Sequence, residues 1–150
     1  AYHSGHTGGL EFYKLPSEST ELYYGIELEV ERGKESECTI DCLAAEALER
    51  LNSDLWHCER DGSLNDGCEF ISQPMTYNYL VSPETKDKIK CALDHLIKLG
   101  GRSYNTSSCE LHFHVSRAVL TPQAIVNLLV TTSRFKDVIF KLSRRTEANF

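Results

Sequence analysis

The strongest constraint in this chain is a run of alternation, G-I-E-L-E-V-E at residues 25–31. Ile26, Leu28 and Val30 take one side and Glu27, Glu29 and Glu31 the other. Successive side chains on a strand point to opposite faces, so period two predicts a β-strand with one apolar and one acidic face. A second alternation, L-H-F-H-V-S at Leu111–Ser116, separates Leu111, Phe113 and Val115 from His112, His114 and Ser116. An ordinary half-exposed strand carries Thr, Lys or Glu where this one carries imidazoles. Either alternation alone is satisfied by a solvated sheet face. If the two strands meet, they set carboxylates against imidazoles across one pocket.

The sequence between and around them supplies the rest of a fold. Residues 40–51 place Ile40, Leu43, Ala44, Ala47, Leu48 and Leu51 on one side of a helix, which Asn52-Ser53-Asp54 ends. A strand L-W-H-C-E-R, a turn D-G-S-L-N-D-G and a strand C-E-F-I-S-Q closed by Pro74 read as a hairpin. Ser82-Pro83-Glu84 starts a helix through Ile89, Leu93, Leu96 and Ile97 that stops at Gly100-Gly101. Thr121-Pro122 opens a long helix carrying Ile125, Leu128, Leu129, Phe135, Ile139 and Leu142. Residues 1–20 have no periodicity and are expected to form an arm, with residues 21–150 as one domain. The order β-α-β-β-α-β-α predicts an α+β fold, an antiparallel-rich sheet with helices packed on one face.

Composition narrows the functional classes. The chain has 150 residues, 41% of them hydrophobic, enough for one domain with a real core. Lys and Arg total 16 against 22 Asp and Glu, and the basic residues are scattered apart from Arg144 and Arg145. That distribution argues against a nucleic-acid interface built on phosphate neutralisation. The apolar runs are too short and interrupted to span a bilayer, and A-Y-H-S-G-H-T-G-G-L lacks the apolar core of a signal peptide. A soluble, cytoplasmic protein is therefore expected. The six cysteines fall below the density of a disulfide scaffold and are expected to be reduced thiols. Cys38-x-x-x-Cys42 would need two further ligands to hold zinc, so buried or helix-facing thiols are the simpler expectation. His3 and His6 in the arm offer metal ligands, though a His- and Gly-rich terminus is more often simply mobile.

The turn D-G-S-L-N-D-G-C-E-F contributes chemistry as well as a reversal. Asp61 and Ser63 stand at its mouth, and Glu69 lies just inside the returning strand. Should the three elements converge, Glu27, Glu29 and Glu69 join one or two imidazoles. So many negative charges repel unless divalent cations neutralise them. Oxygen-rich ligation with few nitrogens suits Mg²⁺ or Mn²⁺ better than zinc, and carboxylate-held Mg²⁺ with open positions most often serves a nucleoside triphosphate.

Y-Y-G-I-E-L-E-V-E, then E-R-D-G-S-L-N-D-G-C-E-F-I-S-Q-P, then C-E-L-H-F-H-V-S-R resemble, in order and spacing, the amidoligase family. These are carboxylate-amine ligases with the glutamine synthetase and gamma-glutamylcysteine synthetase fold. The resemblance covers roughly residues 11–150. It implies a glutamine synthetase-like catalytic core and an ATP-dependent ligase that forms an amide or peptide-like bond through an acyl phosphate. It implies Glu27, Glu29, Glu69 and His112 as metal ligands, with His114, Ser116 and Ser63 toward the nucleotide. Asp61 and Arg144 or Arg145 become the catalytic candidates, the arginine facing phosphate or acyl phosphate. ATP and Mg²⁺ or Mn²⁺ are the cofactors, and small-molecule or peptide carboxylates and amines the substrates, with neither nucleic acid nor membrane as partner.

The resemblance departs in two places. Relatives continue to a late strand bearing a further Glu and Arg, so the chain is expected to lack the family's C-terminal part, with that segment or another subunit completing the site. Glu110 also stands where the family has a small residue. Two other readings stay open: a metal-dependent hydrolase using His112, His114 and a Glu, and a non-catalytic binding module with a degenerate site.

Overall fold

The computed structural model describes residues 9–104 and 106–143. The alternating run forms β1, Tyr24–Arg32, and the remaining strands are β2, Trp56–Glu59, β3, Gly67–Ser72, β4, Gly101–Arg102, and β5, Leu111–Val115. They make one five-stranded, wholly antiparallel sheet in the order β2-β3-β1, with β4 and β5 sharing the far edge of β1. β5 pairs along the first half of β1 and β4 along its last two residues. The helices are α1, Ile40–Arg50, the single turn α2, Tyr77–Leu80, α3, Pro83–Lys98, α4, Pro122–Arg134, and α5, Lys136–Ser143. The fold is α+β. None of its helices is long and apolar enough to cross a membrane, among the described residues.

Helix boundaries follow local chemistry. Thr39 caps α1 by accepting the Cys42 N–H at 3.2 Å, and Ser82 caps α3 with Pro83 in the first turn. Ile40, Leu43 and Ala47 of α1 and Leu96 of α3 bury themselves against Val30, Trp56, Cys68 and Phe70, the apolar face of the sheet. Each fully buried aliphatic or aromatic side chain of this kind is worth about 1.5–3 kcal/mol over its exposed state. α3 ends at Gly100, whose φ of +83° is a left-handed conformation. A Cβ there would lie 2.8 Å from the Ser36 Cβ. Gly100→Ala is accordingly expected to lower stability by about 1–3 kcal/mol, read as a fall in urea midpoint at unchanged slope.

The N-terminal arm is fastened from Glu11 onward. Tyr13 bridges to Met75, and the Glu18 carboxylate accepts from Thr76 Oγ1 at 2.6 Å and Asn78 Nδ2 at 2.9 Å. Those bonds, led by the one from Thr76, hold the Glu18 pKa below its usual value.

Two sequence expectations meet a different outcome. The long C-terminal helix breaks at Phe135 into α4 and α5. Thr132 turns its hydroxyl back onto the carbonyls of Leu128 and Leu129, both at 3.0 Å, a contact that weakens and bends helices. Its apolar positions Leu128, Leu129, Phe135, Ile139 and Leu142 are exposed. So are Leu111, Phe113 and Val115 on β5, because α1 packs over β1, β2 and β3 while α3 packs on α1 and β4. The chain divides at Val115–Ser116 into two compact units, the sheet with α1 to α3 in the first and α4 with α5 in the second.

Candidate metal centre

Register decides which side chains meet on the polar face of the sheet. β1 sets Glu27 opposite His112 and Gly25 opposite His114 on β5, and Glu29 opposite Glu69 on β3. β2 continues that second row, since Glu59 lies opposite Glu69. Three carboxylates, Glu59, Glu69 and Glu29, therefore stand side by side across three strands, with Glu27 one step away on the same face. Glu29 and Glu69 are only 3% and 2% exposed.

On this face one donor set converges. Single ligand atoms of Glu27, Glu69 and His112 all lie within 4.8 Å of one another. They come from β1, β3 and β5, so the group exists only once the sheet is assembled. Two carboxylates and one imidazole match the coordination of a hard divalent cation that keeps some of its water.

The imidazoles are already engaged by carboxylates. His112 faces Glu27 Oε2 through Nδ1 at 2.9 Å and Glu110 Oε2 through Nε2 at 2.9 Å. His114 Nε2 lies 2.9 Å from Glu27 Oε1. The hydrogen bond to Glu110 does most to raise the His112 pKa; burial opposes it and Glu27 adds to it. For Glu27 burial pushes the pKa up, but the bonds from His112 and His114 outweigh it and leave the group more acidic than usual. Each ring nitrogen of His112 thus already faces a carboxylate, so an ion bound through this imidazole would displace one of those contacts.

Gly25 lies beside His114: a Cβ there would sit 3.4 Å from the His114 Cβ and 3.8 Å from its ring, an ordinary van der Waals contact.

Glu29, expected as a ligand, falls outside the converging group. Its Oε2 accepts the Glu110 backbone N–H at 2.5 Å. Burial is the main cause of its raised pKa. Glu31, next on the same face, accepts from Ser108 Oγ and from Asn65. These two carboxylates anchor the segment before β5 and thereby aim His112 at the cluster.

The remaining candidates are dispersed. Asp61 Oδ1 accepts the Ser63 N–H at 2.8 Å, so this pair builds the turn, while the Asp61 charge still reaches Glu29. Ser63 itself is exposed. Ser116 opens the second unit. Arg144 and Arg145, together with His3 and His6, lie outside the described residues.

Two acidic residues outside the expected ligand set belong to this face. Glu110 is the second partner of His112, and its signal was the period-two step Glu110, His112, His114. Glu59 closes the carboxylate row and lies 3.4 Å from His57 Nε2. Only the hairpin register reveals it. No family model, curated protein or solved structure matches the chain.

Proposed function

We propose that this protein is an ATP-dependent carboxylate-amine ligase of glutamine synthetase-like architecture, whose divalent cation, Mg²⁺ or Mn²⁺, is held by Glu27, Glu69 and His112. The convergence of those three donors within 4.8 Å carries the reading. Support comes from the chemistry of the set: oxygen outnumbers nitrogen, no thiol takes part, and the surrounding Glu29 and Glu59 add negative charge that favours a doubly charged ion.

When bound, the ion supplies charge neutralisation for phosphoryl groups. The chain's own residues do the positioning. Glu110 holds the His112 ring by its Nε2 edge, and Glu27 ties the two histidine side chains of β5 to β1. Glu29, by taking the Glu110 N–H, fixes the backbone from which His112 projects. Such outer support keeps ligands in place before the ion arrives.

Thermal unfolding of the intact chain with Mn²⁺ or Mg²⁺, with and without a non-hydrolysable ATP analogue, tests it. The expected result is a rise in midpoint with the ion that the nucleotide enlarges, and a smaller response to Zn²⁺. Stabilisation by Zn²⁺ alone, indifferent to nucleotide, would establish the hydrolase reading, which the nearness of His114 to Glu27 favours. No response to any ion would leave a non-catalytic binding module.

A further inference from the structure

One motif of the sequence lies outside the metal cluster and has a geometry of its own. Cys38 immediately precedes the cap residue of α1, and Cys42 sits in the helix's first turn. The cap bond from Cys42 N–H to Thr39 Oγ1 winds the chain so that the two sulfurs face each other at 3.3 Å, with the Cys42 thiol donating to Cys38. Both residues are half-buried, and both are free thiols. Cys38 also lies on the wall of a concavity of about 810 Å³ between the Gly33–Cys38 loop and the C-terminal end of α3.

The other cysteines differ. Cys58 shares a thiol hydrogen bond with Cys68, but Cys68 is buried in the core. Cys109 is buried and Cys91, exposed on α3, belongs to neither pair. Only Cys38 and Cys42 combine contact between sulfurs with access from solvent.

We propose that Cys38 and Cys42 form a reversible dithiol–disulfide site, in which Cys38 attacks a low-molecular-weight disulfide entering from the concavity and Cys42 resolves the adduct. In the first step the Cys38 thiolate attacks one sulfur of R–S–S–R. A bond forms between Cys38 and that sulfur, the reagent's S–S bond breaks, and one RS⁻ leaves with the electron pair. In the second step the Cys42 thiolate attacks the Cys38 sulfur, forming the intrachain bond and expelling the second RS⁻. The two thiol protons pass through solvent to the two RS⁻. The dithiol is oxidised by two electrons and the small disulfide is reduced by two.

Geometry supplies the order of events. Cys38 lines the concavity and receives the Cys42 S–H, so it is the sulfur that an incoming disulfide meets first. That same hydrogen bond is the main cause of the raised Cys42 pKa. Once Cys38 carries the adduct, the two sulfurs need only close to the covalent distance of about 2.04 Å.

The test uses the full chain with Cys91→Ser to silence the exposed lone thiol, incubated with oxidised glutathione. Free thiols are counted, and peptides are mapped without reduction. Two thiols are expected to be lost per chain, with a Cys38–Cys42 link, no retained glutathione, and full reversal by dithiothreitol. Adding Cys42→Ser should trap one glutathione on Cys38; adding Cys38→Ser should leave Cys42 unmodified. Cys42→Ala serves if the serine variant does not fold, since alanine is the best helix former. Modification of Cys42 in the absence of Cys38, an unmodified Cys38 in either Cys42 variant, or a lasting glutathione adduct on Cys38 beside a free Cys42 would each overturn the proposal.

Discussion

Glu27→Gln is expected to weaken Mn²⁺ binding by more than the roughly 10–100-fold that loss of an outer partner typically costs, whereas Glu29→Gln should stay within or below that range. Calorimetry on the two variants side by side is the measurement. Glu27 contributes an atom to the converging group and contacts both histidines, so the amide removes a charged ligand and loosens both rings. Glu29 is more buried, but its carboxylate is occupied by the Glu110 N–H, which an amide oxygen still accepts. The sequence treats the two residues as equal members of an acidic pair. An equal loss in both variants would restore Glu29 as a ligand and show that the Glu110 contact yields when the ion binds.

Phe70→Ala is expected to cost about 3–5 kcal/mol, the usual range for deleting a buried phenyl ring. Phe70 is 1% exposed in the middle of β3, opposite Leu28 on β1 and Cys58 on β2. It packs within the cluster that joins the sheet to α1 and α3. Its neighbour Glu69 points the other way, toward Glu27 and His112. A cavity under Phe70 therefore acts on the fold first and on the site through the position of β3. Urea unfolding should show a lower midpoint at unchanged slope. Against a typical total of about 5–15 kcal/mol, such a loss leaves a small margin, and a shift below about 1 kcal/mol would mean that the core does not close around this ring.

Most elements of the first unit were legible because each carries its own local signal. The alternations of β1 and β5, the Thr39 and Ser82 caps, and the stop at Gly100 rest on strand period, capping bonds and a left-handed φ, none of which needs a distant partner. β4 was not legible, since a two-residue strand exists only where β1 offers an edge. Nor was the break at Phe135, where the Thr132 hydroxyl competes for helix carbonyls inside an unbroken apolar pattern.

For the site, the sequence by itself determined membership of a face. Period two puts Glu27, Glu29 and Glu31 together on β1, and His112 with His114 on β5, whatever the rest of the chain does. Only the tertiary structure decided which members meet. Antiparallel register sets Glu27 against His112 and Glu29 against Glu69, and the segment before β5 folds back to occupy Glu29 through Glu110. That leaves Glu27, Glu69 and His112 as the converging set. The physical reason is range: side-chain direction is a property of one residue's backbone, while a ligand cluster depends on strand pairings between residues far apart in the chain.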